Sequence, residues 1–226
     1  MAIEYPKPLL IYGAGPFAEL MHHHFSIGSS ARVAAFTVDR DYLAAGSLRG
    51  LPVLPFDAAL ETHPPATCDL FLAVGYKDLR ARARLFEKAR SAGYRMTSYL
   101  DPRALVYEPE SLGENCVVLG NAVVEPFCTL GDNNILWSGS TVCHGSSLGN
   151  HNFLAAGVVV GGECRIGDRC FFGFSSTVRD KLSVADETLV GAQSLLLHDT
   201  APFGTYTGVP ARRRSEHREA GIRIDR

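Results

Sequence analysis

The sequence predicts two domains of different class: an α/β Rossmann-like domain over residues 1–108 and an all-β parallel helix of hexapeptide repeats over residues 109–211, followed by a basic flexible tail at 212–226. Three observations carry this. Every sixth residue from Leu112 to Leu196 is apolar. Glycine recurs in the slot directly after it. The first hundred residues alternate short apolar runs with amphipathic stretches, opening on Gly13-Ala14-Gly15-Pro16-Phe17-Ala18.

The repeat needs the least interpretation. Its apolar slots are Leu112, Val118, Val124, Leu130, Leu136, Val142, Leu148, Leu154, Val160, Ile166, Phe172, Val178, Val184, Val190 and Leu196. In a chain with 46% apolar residues, a fixed frame gives this by chance about once in a hundred thousand trials. Glycine follows at 113, 131, 149, 161, 167, 173 and 191, where it is read as relaxing the backbone near a bend. Four residues after the apolar slot the side chain is small in twelve of fourteen cases from Cys116 to Ser194, with Val158 and Leu182 the exceptions. Each hexad is then a short strand and a corner, with an aliphatic and a small residue turned inward. Cys116, Cys128, Cys164 and Cys170 fall in the small slot and read as buried thiols, not as metal ligands. Fifteen hexads make five coils, a prism about 24 Å tall at ~4.8 Å per coil.

The N-terminal domain is read element by element. Leu9–Tyr12 is a strand, and the glycine turn opens a helix to about Phe25. Val33–Val38 is a second strand ending at Asp39, and Leu51–Leu54 a short third. Cys68–Val74 is a strong strand, and Lys77–Ala92 an amphipathic helix. Gly13–Ala18 fits G-x-G-x-x-A, with Asp39 at the distance of a ribose-binding acid. Three readings stay open for this turn: a nucleotide-diphosphate sugar, NAD, or a structural turn. The domain is about half the size of a full dinucleotide-binding fold. His22, His23 and His24 are successive on a helix, so their side chains diverge and do not converge on one ion.

Composition excludes other classes. With 22 basic and 24 acidic residues, no basic field for nucleic acid exists. No run of ~18 apolar residues crosses a membrane. The apolar start at Leu9–Tyr12 reads as a buried strand and not as a signal peptide. Six cysteines without a CxxC pair fit a reducing cytoplasm.

On the residues alone, His144 is the candidate base. It interrupts a repeat of small and apolar residues, and imidazole is the side chain able to take a proton near neutral pH. One coil of 18 residues later stands Gly162. Cys143 is the weaker candidate, since no second base is evident. His151 and His198 read as surface residues. A γ-carbonic-anhydrase-type metal site is disfavoured because His144 and His151 are seven apart and no third histidine lies in the repeat.

The combination resembles the NeuD/PglD-like sugar acyltransferases, as an outlying member. The matching stretches are Ile11-Tyr12-Gly13-Ala14-Gly15, Ala73-Val74-Gly75 with Arg80 after it, Val142-Cys143-His144, and Gly208-Val209-Pro210-Ala211-Arg212. The resemblance implies a left-handed helix and a homotrimer with active sites between subunits. It implies His144 as catalytic base. Acetyl-CoA is the co-substrate, with no permanently bound cofactor and no metal. The nucleotide-linked amino sugar would contact Gly13, Ala14, Gly15, Phe17, Asp39, Gly75, Tyr76, Lys77 and Trp137, and the acyl-CoA Phe153, Gly162 and Arg212. The expected activity is N-acetylation for surface polysaccharide or glycan. Sugar O-acetylation, another acyl donor, and a non-catalytic nucleotide-sugar-binding trimer are the alternatives. The chain departs from the family at Phe17 and Phe153, where histidine is usual, at Trp137, often asparagine, and at Gly145, where an acid follows the catalytic histidine.

Overall fold

The computed structural model describes residues 3–224. The chain divides into two compact units, one of residues 1–75 and 84–99, the other of residues 76–83 and 100–226. The expected boundary at 108 therefore shifts. Residues 76–83 belong with the repeat and not with the sheet that precedes them, because their side chains find their partners on it.

In the first unit, strands β1 (Leu9–Tyr12), β2 (Val33–Val38), β3 (Ser47–Leu48), β4 (Leu51–Pro55) and β5 (Asp69–Leu72) form one sheet in the order β3-β4-β2-β1-β5. All pairings are parallel except the β3–β4 hairpin. Leu9, Leu10 and Ile11 are fully buried, as an unbroken apolar run in a central parallel strand requires. Helices α1 (Pro16–Gly28), α2 (Phe56–Thr62) and α3 (Leu79–Ser91) connect the strands. Phe25 packs edge-on against Phe71 and Tyr99. Leu10, Ala35, Leu70, Phe86 and Met96 fill a second apolar cluster. Sequence reading missed β3 and α2 and placed the other strands and helices of this unit to within three residues. Strand order reverses at β1, whose neighbours β2 and β5 lie on opposite sides, so the carboxyl ends of β1 and β5 form a switch point.

The second unit is a parallel β-helix. Two-residue strands stack in register 18 residues apart on three faces. Ile135 pairs with Phe153 and Phe153 with Phe171 on the first face. Thr141 pairs with Val159 on the second, and Ser147 with Arg165 on the third. The apolar slots from Val118 to Leu196 are buried, and so are the small slots, including Cys116, Cys128, Cys164 and Cys170, while Leu112 at the first slot is half-buried. Burial pushes the Cys116 and Cys170 thiols up to about 12. Polar residues in the small slot bond to the coils. Asn134 donates to the Gly131 and Gly149 carbonyls, and its own carbonyl accepts from the Asn152 amide.

The glycines after the apolar slot have a different cause from the one expected. Their φ values are ordinary. The left-handed turn sits two residues further on, at Asn115, Asn121, Phe127, Asn133, Gly139, Gly145, His151 and every sixth residue to Gln193. The glycines are bare because the next coil lies against them. A Cβ on Gly113 would stand 2.6 Å from the Gly131 carbonyl carbon, and one on Gly173 2.5 Å from the Ala192 amide.

Two other expectations are corrected. Arg212–Glu216 is no loose tail but a strand paired antiparallel to Gly204–Thr207. Beyond it, Arg80 donates to the carbonyls of Arg218 and Glu219, and Ile222 is buried. The last two residues of the expected tail, 225 and 226, lie outside the described residues. His151 is not a surface residue either. It is 7% exposed, and its Nδ1 accepts from the Asn133 side-chain amide at 2.9 Å. Segment 76–83 covers this corner. Arg82, fully buried, donates to the Asn133 backbone carbonyl, to its Oδ1 at 2.8 Å, and to the His151 carbonyl at 3.4 Å. Burial lowers the Arg82 pKa to about 9.

Candidate active site

The candidate residues fall into two groups, one in each unit. Gly13, Ala14, Gly15, Phe17, Asp39 and Gly75 belong to the first. Gly13 has φ 137°, and a Cβ there would stand 2.7 Å from the Ala73 carbonyl oxygen, so only glycine lets the chain leave β1 this close to β5. Gly15 caps α1 with no side chain, Pro16 follows, and no atom stands within 4 Å of where a Gly15 Cβ would be. The helix N-terminus therefore opens onto free space, the geometry that receives phosphate. Phe17 and Gly75 border the same turn, and a Cβ on Gly75 would stand 4.0 Å from that of Phe17.

Asp39 ends β2 but is already engaged. Tyr12 donates its hydroxyl to Oδ1, and Lys88 ion-pairs with the same oxygen at 2.5 Å. Burial pushes the carboxyl up, yet the hydrogen bonds from Lys88 and Tyr12 outweigh it and hold Asp39 below the usual carboxylate range. Lys88 also lies over the Phe56 ring, 4.9 Å from its centroid. Lys88 was not singled out in the sequence, where it is one basic residue on an amphipathic helix.

In the second unit, His144 stands at the corner between the second and third faces. The strand Thr141–Val142 ends two residues before it. Its side chain is exposed and lies on the bare backbone of Gly162 one coil on. A Cβ at 162 would come within 2.9 Å of ring atoms Cε1 and Nε2. The coil arithmetic from the sequence is thus realised. The His144 carbonyl accepts from the Glu163 amide at 2.8 Å, and its amide donates to Glu125 Oε2 at 2.8 Å. The Gly162 carbonyl accepts from the Lys181 amide, and among the described residues no acceptor meets the Gly162 N–H. Cys143 is half-buried, and burial, then the Glu125 charge, push its thiol up, which suits a packing residue better than a nucleophile.

Trp137, Tyr76 and Phe153 are not brought to this corner. Trp137 follows the strand Ile135–Leu136 on the first face. His144 follows a second-face strand, so the two residues stand at opposite edges of the second face. Phe153 is 3% exposed, stacked on Phe171 at 5.4 Å and covered by Tyr76 at 4.5 Å. That packing occupies its ring. Lys77 belongs to the same covering segment, its carbonyl accepting from Ile224. Arg212 is exposed on the C-terminal strand.

The bacterial transferase hexapeptide family (six repeats) matches residues 111–144 and 145–180. Comparison with curated protein sequences finds no match. Among solved structures, the chain is similar to the acetyltransferase domain of PglB from Neisseria gonorrhoeae FA1090, with 26% identity over 92% of this chain and 100% of that one and a TM-score of 0.79. PerB from Caulobacter crescentus, in complex with CoA and GDP-perosamine, is 28% identical over 93% of this chain and 98% of its own, with a TM-score of 0.76. A histidine-to-asparagine mutant of perosamine N-acetyltransferase from the same organism, also with CoA and GDP-perosamine, is 26% identical over 93% and 98%, with a TM-score of 0.83. With its repeat, its glycine turn and a likeness that spans both units, the chain is similar in fold and sequence to acetyltransferases of the NeuD/PglD-like kind.

Proposed function

We propose that the protein is an acetyl-CoA-dependent N-acetyltransferase of a nucleotide-linked amino sugar, with His144 as general base. The observation that carries the reading is the exposed imidazole of His144 seated on the bare backbone of Gly162. The likeness to a perosamine N-acetyltransferase in complex with CoA and GDP-perosamine, and to the acetyltransferase domain of PglB, supports the choice of donor and acceptor.

The chemistry follows from that corner. The sugar amine attacks the thioester carbonyl as His144 takes its proton. The carbonyl oxygen gains charge, and the Gly162 N–H is the donor at hand to receive it. The C–S bond then breaks, the new C–N bond stays, and the imidazolium returns its proton to the departing thiolate, leaving CoA thiol and the N-acetyl sugar. No covalent enzyme intermediate is needed, so Cys143 has no part in it. The open α1 N-terminus at Gly15 holds the diphosphate, with Phe17 and Gly75 beside it.

The reading includes a cytoplasmic homotrimer whose sites lie between subunits. Leu105 and Val159 on the second face, and Phe127 at the His144 corner, are exposed apolar side chains that a neighbouring copy would cover. No helix among the described residues is long and apolar enough to cross a membrane. The test is thiol release from acetyl-CoA with UDP-, GDP- and dTDP-linked amino sugars. Turnover with one of them, and a product heavier by one acetyl group on nitrogen, is expected. Transfer to a hydroxyl alone, or no turnover with any, overturns the assignment. A monomer by light scattering overturns the trimer.

A further inference from the structure

We propose that Glu125 is the positioning residue of His144, holding the catalytic corner from the preceding coil; the proposal rests on reading His144 as the base. The case begins with how the other corners are tied. At the corner between the third and first faces, each residue two places after the apolar slot donates its amide to a side chain on the next coil: Glu114 to Asp132, Asp132 to Asn150, Asn150 to Asp168, and Asp168 to Asp186. A short acidic or amide side chain 18 residues on is the acceptor every time.

His144 occupies the same slot at its own corner, and its partner 18 residues on is Gly162. Glycine has no side chain to accept the amide. A side chain there is also excluded, because the imidazole lies where it would go. The tie is therefore made in the opposite direction. Glu125, 19 residues before His144, brings its Oε2 to 2.8 Å from the His144 amide. Glu108 makes a like tie one coil earlier, its Oε2 accepting from the Phe127 amide at 3.0 Å, but it lies before the first apolar slot at Leu112. Of the fourteen residues that directly follow an apolar slot from Gly113 to Gly191, Glu125 alone is acidic, and half are glycine.

The consequence is a clamp on the backbone that carries the base. Glu125 fixes the His144 amide from one side, and the Glu163 amide fixes its carbonyl from the other. Gly145 follows with φ 66° and no Cβ, and its amide donates to the Pro126 carbonyl at 3.1 Å, so Glu125 and Pro126 together hold two successive amides of this corner. The acid absent at 145 is thus replaced by one that comes from the neighbouring coil and acts on the main chain, not on the ring.

The experiment compares Glu125→Ala, Glu125→Gln and Glu125→Asp by thiol release, with melting curves as a check on folding. Loss of the tie lets the imidazole wander by an ångström, so Glu125→Ala is expected to lose about 100-fold in kcat while KM for both substrates stays within about twofold. Glutamine keeps an acceptor oxygen at the same reach and is expected to recover kcat to within about threefold of wild type. A wild-type kcat in Glu125→Ala, or Glu125→Gln as slow as Glu125→Ala, overturns the proposal. Should Glu125→Ala lose its native transition, Glu125→Asp decides. Its carboxylate is one methylene too short for the bond, so kcat is expected to fall about tenfold, and an unchanged kcat overturns the proposal. His144→Ala in the same assay separates the two ideas. If it stays active the base assignment fails, whereas an inactive His144→Ala beside a fully active Glu125→Ala removes only the role of Glu125.

Discussion

Two corners of the same prism carry a histidine within seven residues, and they have opposite fates. His144 is exposed, rests on a glycine, and has its main chain held while its ring is open to solvent. His151 is buried, takes the left-handed turn position at φ 63°, and gives its Nδ1 to Asn133 under the cover of Arg82. The repeat fixes where each side chain points. What lies above the corner decides whether it works in chemistry or in packing. At 144 the following coil offers only Gly162, and at 151 the segment 76–83 closes over the edge.

That contrast is broken most sharply by Gly162→Ala. Its methyl would enter within 2.9 Å of the His144 ring and displace it. We expect about a 100-fold loss of kcat in thiol release. The melting temperature should fall little, since the corner faces solvent. Arg82→Ala attacks the other corner. It removes a fully buried side chain and takes the guanidinium donor from the Asn133 and His151 carbonyls, leaving Asn133 Oδ1 with Asn115 alone among the described residues. A loss of about 3 kcal/mol in denaturant unfolding is expected, with the catalytic corner intact.

How far these corners were legible in the sequence differs from one to the other. The six-residue step gave the prism, the inward cysteines and the pairing of His144 with Gly162, because all three depend only on period. It misjudged His151, since burial there comes from Tyr76–Ala83, far away in sequence. It assigned the glycines after the apolar slot to chain bending, when their cause is the neighbouring coil's backbone. It missed Glu125 because a lone acid in a repeat carries no signal until the coil it bonds is known. In the first unit, the glycine turn and the strands were readable from apolar runs, but α2 is only seven residues long and begins after Pro55, too short for a helical period. The partners of Asp39 depend on α3 returning Lys88 to the end of β2, which no local pattern reports.

A smaller effect is expected from His151→Asn or His151→Ala. Losing the Asn133 partner should cost about 1–2 kcal/mol, read from the unfolding midpoint. The smallest concerns Asp39. Its folded-state pKa is lowered, so the stability it contributes is present above the ordinary value of 3.8 and is lost as pH falls through the depressed folded value. Asp39→Asn should flatten that acid limb by less than about 1 kcal/mol, since the pair with Lys88 is partly exposed. Acid titration of stability for both proteins measures it.

The account's central claim is that one histidine corner is chemical and the other structural, and a paired kinetic measurement tests it directly. Thiol release from acetyl-CoA with the true amino-sugar acceptor should fall by about 1,000-fold in His144→Ala, the scale of a lost general base, without loss of the folded state. His151→Ala should keep its kcat while melting earlier. Full activity in His144→Ala, or a comparable collapse of kcat in folded His151→Ala, would contradict it.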